Sequence, residues 1–172
     1  MKPRTVTDEM LREMLRDGKA LSLPGQNLDG ADLERASLRY ADFEGASLRG
    51  ANLKRADLSH ANLNWTNMEG SDLTGACLIA SHLPHAKLNG ARLAHASLAR
   101  ADLRWSRLRE ADLSDADLVG ALLDGVDLWK AETHGVRLTR SCFDSVQNHL
   151  TKEQVRSLIL YDPPEMETPP SR

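Results

Sequence analysis

The sequence predicts an all-β solenoid, a parallel coil with four sides wound about six times around a narrow apolar axis. Three observations carry this. A centre, almost always Leu, recurs at every fifth position from Leu23 to Phe143, giving 25 units with Leu at 21 of the centres. Within a unit the chain alternates small-in, polar-out, Leu-in, as in Ala31-Asp32-Leu33 and Ala51-Asn52-Leu53. Gly30, Gly50, Gly70 and Gly90 stand 20 residues apart, the length of four units. A helix needs apolar spacings of three, four and seven, and an isolated strand needs unbroken alternation, so a period of five fits neither. It fits a short strand followed by a corner. Four such sides close a coil, and stacked coils pair backbone to backbone at ~4.8 Å. A fixed short period of this kind marks a solenoid.

The residue types follow from that geometry. Each centre points to the axis, where burying a Leu is worth roughly 1.5–3 kcal/mol. The exceptions to Leu are Phe43, Met68, Thr133 and Phe143. Two positions earlier lies a cramped inward slot beside a corner. It prefers Ala and elsewhere holds mostly small residues: Thr66, Ser71, Ser81, Ser106, Val126, Val136 and Ser141. Asp or Asn just before the centre faces out and can accept backbone N–H groups at the turn. Gly in the last position suits a corner with positive φ. Leu122 breaks the polar rule. Thr133, the one polar centre, marks the last coils as the least stable, with Val126 and Val136 supplying bulk nearby.

Runs such as Ala31-Asp-Leu-Glu-Arg, Ala41-Asp-Phe-Glu-Gly and Ala51-Asn-Leu-Lys-Arg resemble the pentapeptide repeat family, whose consensus is A(D/N)LXX. The resemblance is to the Ala/Asp/Leu-rich bacterial type common in cyanobacteria. It implies a right-handed quadrilateral parallel β-helix, to which the residues at the two ends of the chain add short N- and C-terminal cap helices.

The chain divides into four segments. Residues 1–20 are expected to form an N-terminal capping helix: Val6, Met10, Leu11, Met14 and Leu15 make one apolar stripe, capped by Thr5 or Thr7 and stopped by Gly18. Residues 21–145 are the β-helix. Residues 146–161 are expected to form a C-terminal capping helix, opened by the capping box Thr151-Lys-Glu-Gln154, with Val155, Leu158, Ile159 and Tyr161 closing the end of the coil. Residues 162–172, with Pro163-Pro164 and Pro169-Pro170, are expected to be a disordered tail. C-terminal helices in the family sometimes build a dimer, so the resemblance allows a homodimer through this end. No apolar run of signal or membrane-span length occurs, which makes the cytoplasm the expected location and gives no membrane role.

No pattern for catalysis, cofactor or metal stands out. Cys77 and Cys142 are 13 units apart, roughly 15 Å along the axis and on different sides, too far for a disulfide; both fall in outward slots. His82 and His85 lie at the two ends of one unit, roughly 10 Å apart, too far to share an ion. The outward Asp residues are solvated and repetitive, whereas paired catalytic carboxylates need burial or a cleft. No nucleophile elbow or nucleotide-binding Gly-rich loop is present. The chain is therefore read as a non-enzyme.

Charge bears on partners. The net charge is −3. Residues 81–110 carry Lys87, Arg92, Arg100, Arg104, Arg107 and Arg109 against Asp102 and Glu110, while residues 111–127 carry Asp112, Asp115, Asp117, Asp124 and Asp127 with no Lys or Arg. Some members of the family resemble DNA and bind type II topoisomerases, giving gyrase inhibition or quinolone protection. Such a mimic needs a long anionic face, and the basic girdle interrupts it. Binding of nucleic acid by the girdle is opposed by the acidic band beside it. The leading expectation is a rigid protein–protein interaction module with an unknown partner. A spacer role and the DNA mimic are the alternatives.

One surface stands out. Trp65, His85 and Trp105 share the last slot of their units at 20-residue intervals, with Arg104 adjoining. They are expected to stack on one corner in successive coils and to be partly exposed. The corner is either a partner-binding site, since exposed Trp is enriched at interfaces, or a self-contained stack that stiffens the rod.

Overall fold

A computed structural model describes Leu11 and residues 20–146 and 149–161. Each residue just before a centre forms a parallel bridge with the residue 20 positions on, from Ser22↔Asp42 to Asp117↔Arg137. The bridges recur every five residues, so four sides share each coil. The centre's N–H donates to the next coil, as from Leu73 to the Arg92 carbonyl at 2.7 Å, and Arg92 N–H donates back to the Ser71 carbonyl at 2.9 Å. A further bond ties the corners, as from Gly75 N–H to the Ala94 carbonyl at 2.9 Å.

Each unit ends in a shoulder residue and a corner residue. The centre's carbonyl accepts from the N–H three positions on, as Leu88 does from Ala91 at 3.0 Å. Every corner residue from Gly25 to Gly135 has positive φ, between 53° and 72°. Positive φ at the third residue of a four-residue turn is the type II pattern, which favours Gly. Ten of these corners are Gly, yet thirteen are not, Trp65, His85 and Trp105 among them. The outward Asp and Asn side chains hold the shoulder by accepting the N–H two residues on. Asp112 takes Ser114 at 3.0 Å, and Asn67 takes Glu69 at 3.2 Å.

The centres form the core. From Leu28 to Leu113 none is more than 2% exposed. Polar residues in the cramped slot turn their hydroxyls onto carbonyls: Ser71 onto Met68 at 2.7 Å, Ser81 onto Leu78 at 2.7 Å, Thr66 onto Phe43 at 3.0 Å. The buried Ser106 hydroxyl has no hydrogen-bond partner among the described residues. Thr133 is buried as a centre should be, and its hydroxyl meets that of Ser157 at 3.0 Å.

The register stops at Leu138. Beyond it the chain forms β1 (Arg137–Thr139), α1 (Arg140–Val146), α2 (Lys152–Ser157) and β2 (Ile159–Tyr161). Phe143, expected as a centre, instead lies half-buried in α1. A helix presents residues four apart on one face, so Cys142 and Val146 are the buried pair. Cys142 is therefore not outward as expected; its thiol donates to the Ala121 carbonyl at 3.1 Å. Both cysteines are free. β2 extends the ladder as a parallel neighbour of β1, with Arg137 opposite Ile159 and Thr139 opposite Tyr161.

The capping box forms as expected: Gln154 N–H donates to the Thr151 hydroxyl at 3.2 Å, and Thr151 N–H to the Gln154 amide oxygen at 2.9 Å. Of the expected closing residues, Leu158 packs half-buried against the core and the other three do not. Val155, Ile159 and Tyr161 are 37%, 51% and 36% exposed. Gln154 is buried instead and donates its amide to the Leu128 and Ala131 carbonyls at 3.1 and 3.0 Å. An end coil leaves carbonyls as well as apolar side chains unpaired, and an amide can satisfy the carbonyls. The expected N-terminal helix lies outside the described residues apart from Leu11, which is helical and buried in the core. The expected disordered tail, 162–172, also lies outside them.

Candidate functional site

The corner column runs Gly25, Gly45, Trp65, His85, Trp105, Gly125, and the turn geometry puts all six at positive φ. Left-handed backbone costs a non-Gly residue ~1–2 kcal/mol. Trp65 offsets that cost by stacking on His85, with ring centroids 4.0 Å apart and planes 11° from parallel. Trp105 does not continue the stack. Its ring lies over the next coil's Gly125, where an added Cβ would stand 2.3 Å from Trp105 Cε3. The lean is general. Arg55 lies over Gly75 and Asp115 over Gly135 in the same manner. The structure thus brings Trp65 and His85 together and leaves a break between His85 and Trp105. Trp65 and Trp105 are 61% and 60% exposed, and His85 is half-buried.

Arg104, the shoulder before Trp105, grips Asp102 in a two-pronged pair, Nε to Oδ1 at 2.9 Å and Nη2 to Oδ2 at 2.6 Å. The Arg104 hydrogen bond holds the Asp102 carboxyl below its usual range, outweighing the burial that works the other way. Charge pairs recur along the rod, and of the girdle's bases Arg92, Arg104 and Arg109 take part in them. A shoulder base reaches the acid 18 residues on, at the outward slot of the next coil: Arg39 to Asp57 at 3.4 Å, Lys54 to Asp72 at 3.3 Å, and Arg109 to Asp127. Arg92 also reaches Asp72, at 3.6 Å. Across the boundary between girdle and acidic band, coil stacking sets Arg109 beside Asp127.

Three features escaped the sequence reading. Tyr40 and His60 form a second stacked pair, 5.0 Å between centroids, in another corner column; their 20-residue spacing was the available signal. Trp129 is 52% exposed, with Lys130 Nζ 4.3 Å from its ring centroid and Arg109 beyond. It borders a cleft of about 800 Å³ between the last coil and α2, shared with Glu110, Thr133, Glu153 and Gln154. No sequence signal marked that cleft, because it depends on where α2 docks. Among the described residues no group of His, Cys, Asp and Glu is placed to hold a metal ion, and no helix is long and apolar enough to cross a membrane.

The sequence matches the family profile described as Pentapeptide repeats (8 copies) over residues 23–55, 40–75, 76–115 and 86–125. No curated protein matches it. The structure is similar to that of HetL, a pentapeptide repeat protein involved in heterocyst differentiation regulation from the cyanobacterium Nostoc sp. strain PCC 7120, with 35% identity and a TM-score of 0.54. That match covers 69% of this chain and 60% of HetL, so the chain spans under two thirds of that protein. It is also similar to Rfr23 from the cyanobacterium Cyanothece 51142, at 26% identity, TM-score 0.41, covering 68% and 84% of the two chains. A further likeness is to QnrB1, a plasmid-mediated fluoroquinolone resistance protein, at 18% identity, TM-score 0.34, covering 83% and 90%. These neighbours share the fold known as the right-handed quadrilateral β-helix, and the chain belongs to the pentapeptide repeat family.

Proposed function

We propose that this chain is a non-enzymatic scaffold, a rigid rod of about six coils with helical segments capping its ends, which holds a protein partner at the corner of Trp65, His85 and Trp105. The observation that carries the reading is Trp105 itself. Its backbone is left-handed, its ring stacks on no other ring among the described residues, and it is 60% exposed. Stiffening of the rod accounts for the Trp65–His85 stack but not for a bulky ring at Trp105, where Gly would relieve the strain. Replacing Trp65 and Trp105 together by Ser tests this. Capture of the partner from extract should be lost while the fold survives; capture that persists in a folded double variant overturns the reading.

A DNA mimic at a type II topoisomerase is the competing reading. It requires a continuous anionic face, whereas here Arg92, Arg104 and Arg109 pair with Asp72, Asp102 and Asp127. The scaffold reading predicts no inhibition of gyrase supercoiling at low micromolar protein. Inhibition with the salt dependence of DNA binding would favour the mimic. At the other end of the rod, β2 pairs with β1 on one side only, and Ile159, Leu160 and Tyr161 are exposed. Such an edge favours pairing with a second copy, which supports a homodimer through this end. Sedimentation should show a dimer that Ile159→Lys converts to monomer; a wild-type monomer at high concentration contradicts it.

A further inference from the structure

Most outward slots of the rod hold Asp, Asn or Ser, and the Asp and Asn side chains there accept the shoulder N–H. Lys or Arg stands in four of these slots, at Lys87, Arg92, Arg107 and Arg137. A cation cannot accept that N–H, so each gives up a hydrogen bond that holds the turn. At Arg107 the shoulder N–H of Arg109 turns instead to the Asn89 amide oxygen, one coil away, at 3.2 Å. Two of the four cations have a reason within the chain. Arg92 reaches Asp72 and Arg137 reaches Asp117, each at 3.6 Å. Lys87 and Arg107 are exposed, and neither is in a salt bridge among the described residues. They are bridge partners in adjacent coils, so two like charges stand side by side, an arrangement that weakens a sheet. Asp127, the next residue of that column, feels the charge of Arg107 but is gripped by Arg109.

Lys87 and Arg107 come two residues after His85 and Trp105, at the start of the side that opens from the aromatic corner. The two flanks of that corner differ. The flank before it carries Leu122, 46% exposed in a polar slot one coil above Asp102. Leu122 belongs to the unit whose Gly125 lies under the Trp105 ring. The charges of this flank near Trp105 are Arg104 and Asp102, which pair with each other, and Asp124, which leaves the flank acidic. The flank after the corner carries the two cations without an acid. A segment lying along the corner thus meets apolar surface and a repelling carboxylate on one flank, and free cations on the other. Such charges set the orientation of a ligand as well as its attraction. A nucleic-acid strand fits less well, because its charge repeats at every nucleotide. Asp124 and Asp127 stand one coil beyond Arg104 and Arg107, where that strand would continue.

We propose that the partner held at the Trp65–His85–Trp105 corner is a short acidic protein segment, whose carboxylates pair with Lys87 and Arg107 and whose apolar side chain covers Trp105 and Leu122. This rests on the reading of the corner as a binding surface and names the chemistry of its ligand. The test selects binders to the full chain from a displayed library of random peptides. Asp and Glu should be enriched in the peptides that wild type selects. Lys87→Gln with Arg107→Gln should remove that enrichment, and Lys87→Glu with Arg107→Glu should turn it into enrichment of Lys and Arg. A selected acidic peptide carrying a fluorescent label should bind the Gln variant roughly tenfold more weakly by anisotropy. A library that yields no acidic enrichment, or an enrichment that survives both charge variants, overturns the proposal. Tighter binding of oligo(dT) than of any selected peptide, lost in the Gln variant, would make the occupant a nucleic acid and overturn it as well. So would a wild-type dimer in sedimentation that the Glu variant dissociates, since the occupant is then a second copy. The corner itself is tested by Trp65→Ser with Trp105→Ser, which should abolish binding of the same acidic peptide. A peptide that still binds that folded variant, and loses binding only with Lys87 and Arg107, overturns the role of the rings and not the charge pairing.

Discussion

Gly125→Ala probes the corner directly. A methyl group there would stand 2.3 Å from Trp105 Cε3, 2.6 Å from Cζ3 and 2.8 Å from Cδ2, so the ring must swing away. The new residue also bears the left-handed penalty of ~1–2 kcal/mol. Losing the face contact adds several atom pairs at ~0.1–0.2 kcal/mol each, about 0.5–1 kcal/mol together. The expected loss is therefore about 1.5–3 kcal/mol. Gly70→Ala is the control. Its φ is +65° and nothing lies within 4 Å of the added Cβ, so it should lose only the backbone part. Urea unfolding monitored by far-ultraviolet circular dichroism gives both values. In the Trp105→Ser background, Gly125→Ala should cost no more than Gly70→Ala. Equal losses at the two glycines in the wild-type background would refute the placement of the Trp105 ring.

The packing and the charges give two other outcomes. Ser106→Ala should raise stability by about 1 kcal/mol, because a buried hydroxyl without a partner carries an uncompensated desolvation cost and Ala fills this slot in most units; a loss in the same urea assay would mean that the hydroxyl is bonded. The carboxyls of Asp57, Asp72, Asp102 and Asp127 are held below their usual range. For Asp102 the main cause is the Arg104 hydrogen bond; for the other three, burial pushes upward but is outweighed by hydrogen bonds from Ser59, Thr74 and Arg109 respectively. A depressed folded-state pKa gives stability that is present above the unfolded value near ~3.9 and is lost as pH falls through the folded value. The urea midpoint should therefore drop below pH ~4, less steeply in Asp102→Asn; a midpoint that holds or rises on acidification would contradict the pairing.

The five-residue pattern made the coil legible because each slot has one environment repeated along the rod. Leu73, Asp72 and Gly70 could each be placed from spacing alone. Thr133 read as a weakness, since its partner Ser157 comes from outside the repeat. The reading failed where the repeat ends. Phe143 keeps the spacing, but α1 has a period of its own and turns Cys142 and Val146 inward. The end of the rod is closed by Gln154, a polar residue, because an open ladder leaves carbonyls that no Leu or Val can satisfy. At the candidate site the column of Trp65, His85 and Trp105 was visible from the 20-residue spacing. The lean of each corner side chain onto the next coil was not. It goes with positive φ at every corner, and at Trp105 it carries the ring onto Gly125. Likewise the girdle and acidic band looked like opposed blocks in sequence, while the 18-residue diagonal joins them at Arg109 and Asp127.

The claim beneath all of this is that a residue's role is set by its slot in the coil. Two substitutions one position apart test it on the same side. Leu73 is fully buried, so Leu73→Asp removes a core Leu and leaves an unpaired carboxylate at the axis, a combined loss above ~5 kcal/mol. Thr74 is a shoulder, the slot that holds Asp29, Glu34, Glu44 and Asp124 elsewhere. Circular dichroism and urea unfolding of the two variants should show Leu73→Asp unfolded and Thr74→Asp folded, losing no more than about 1–2 kcal/mol through the hydrogen bond that Thr74 gives Asp72. A soluble Leu73→Asp protein with the wild-type spectrum and midpoint would contradict the register.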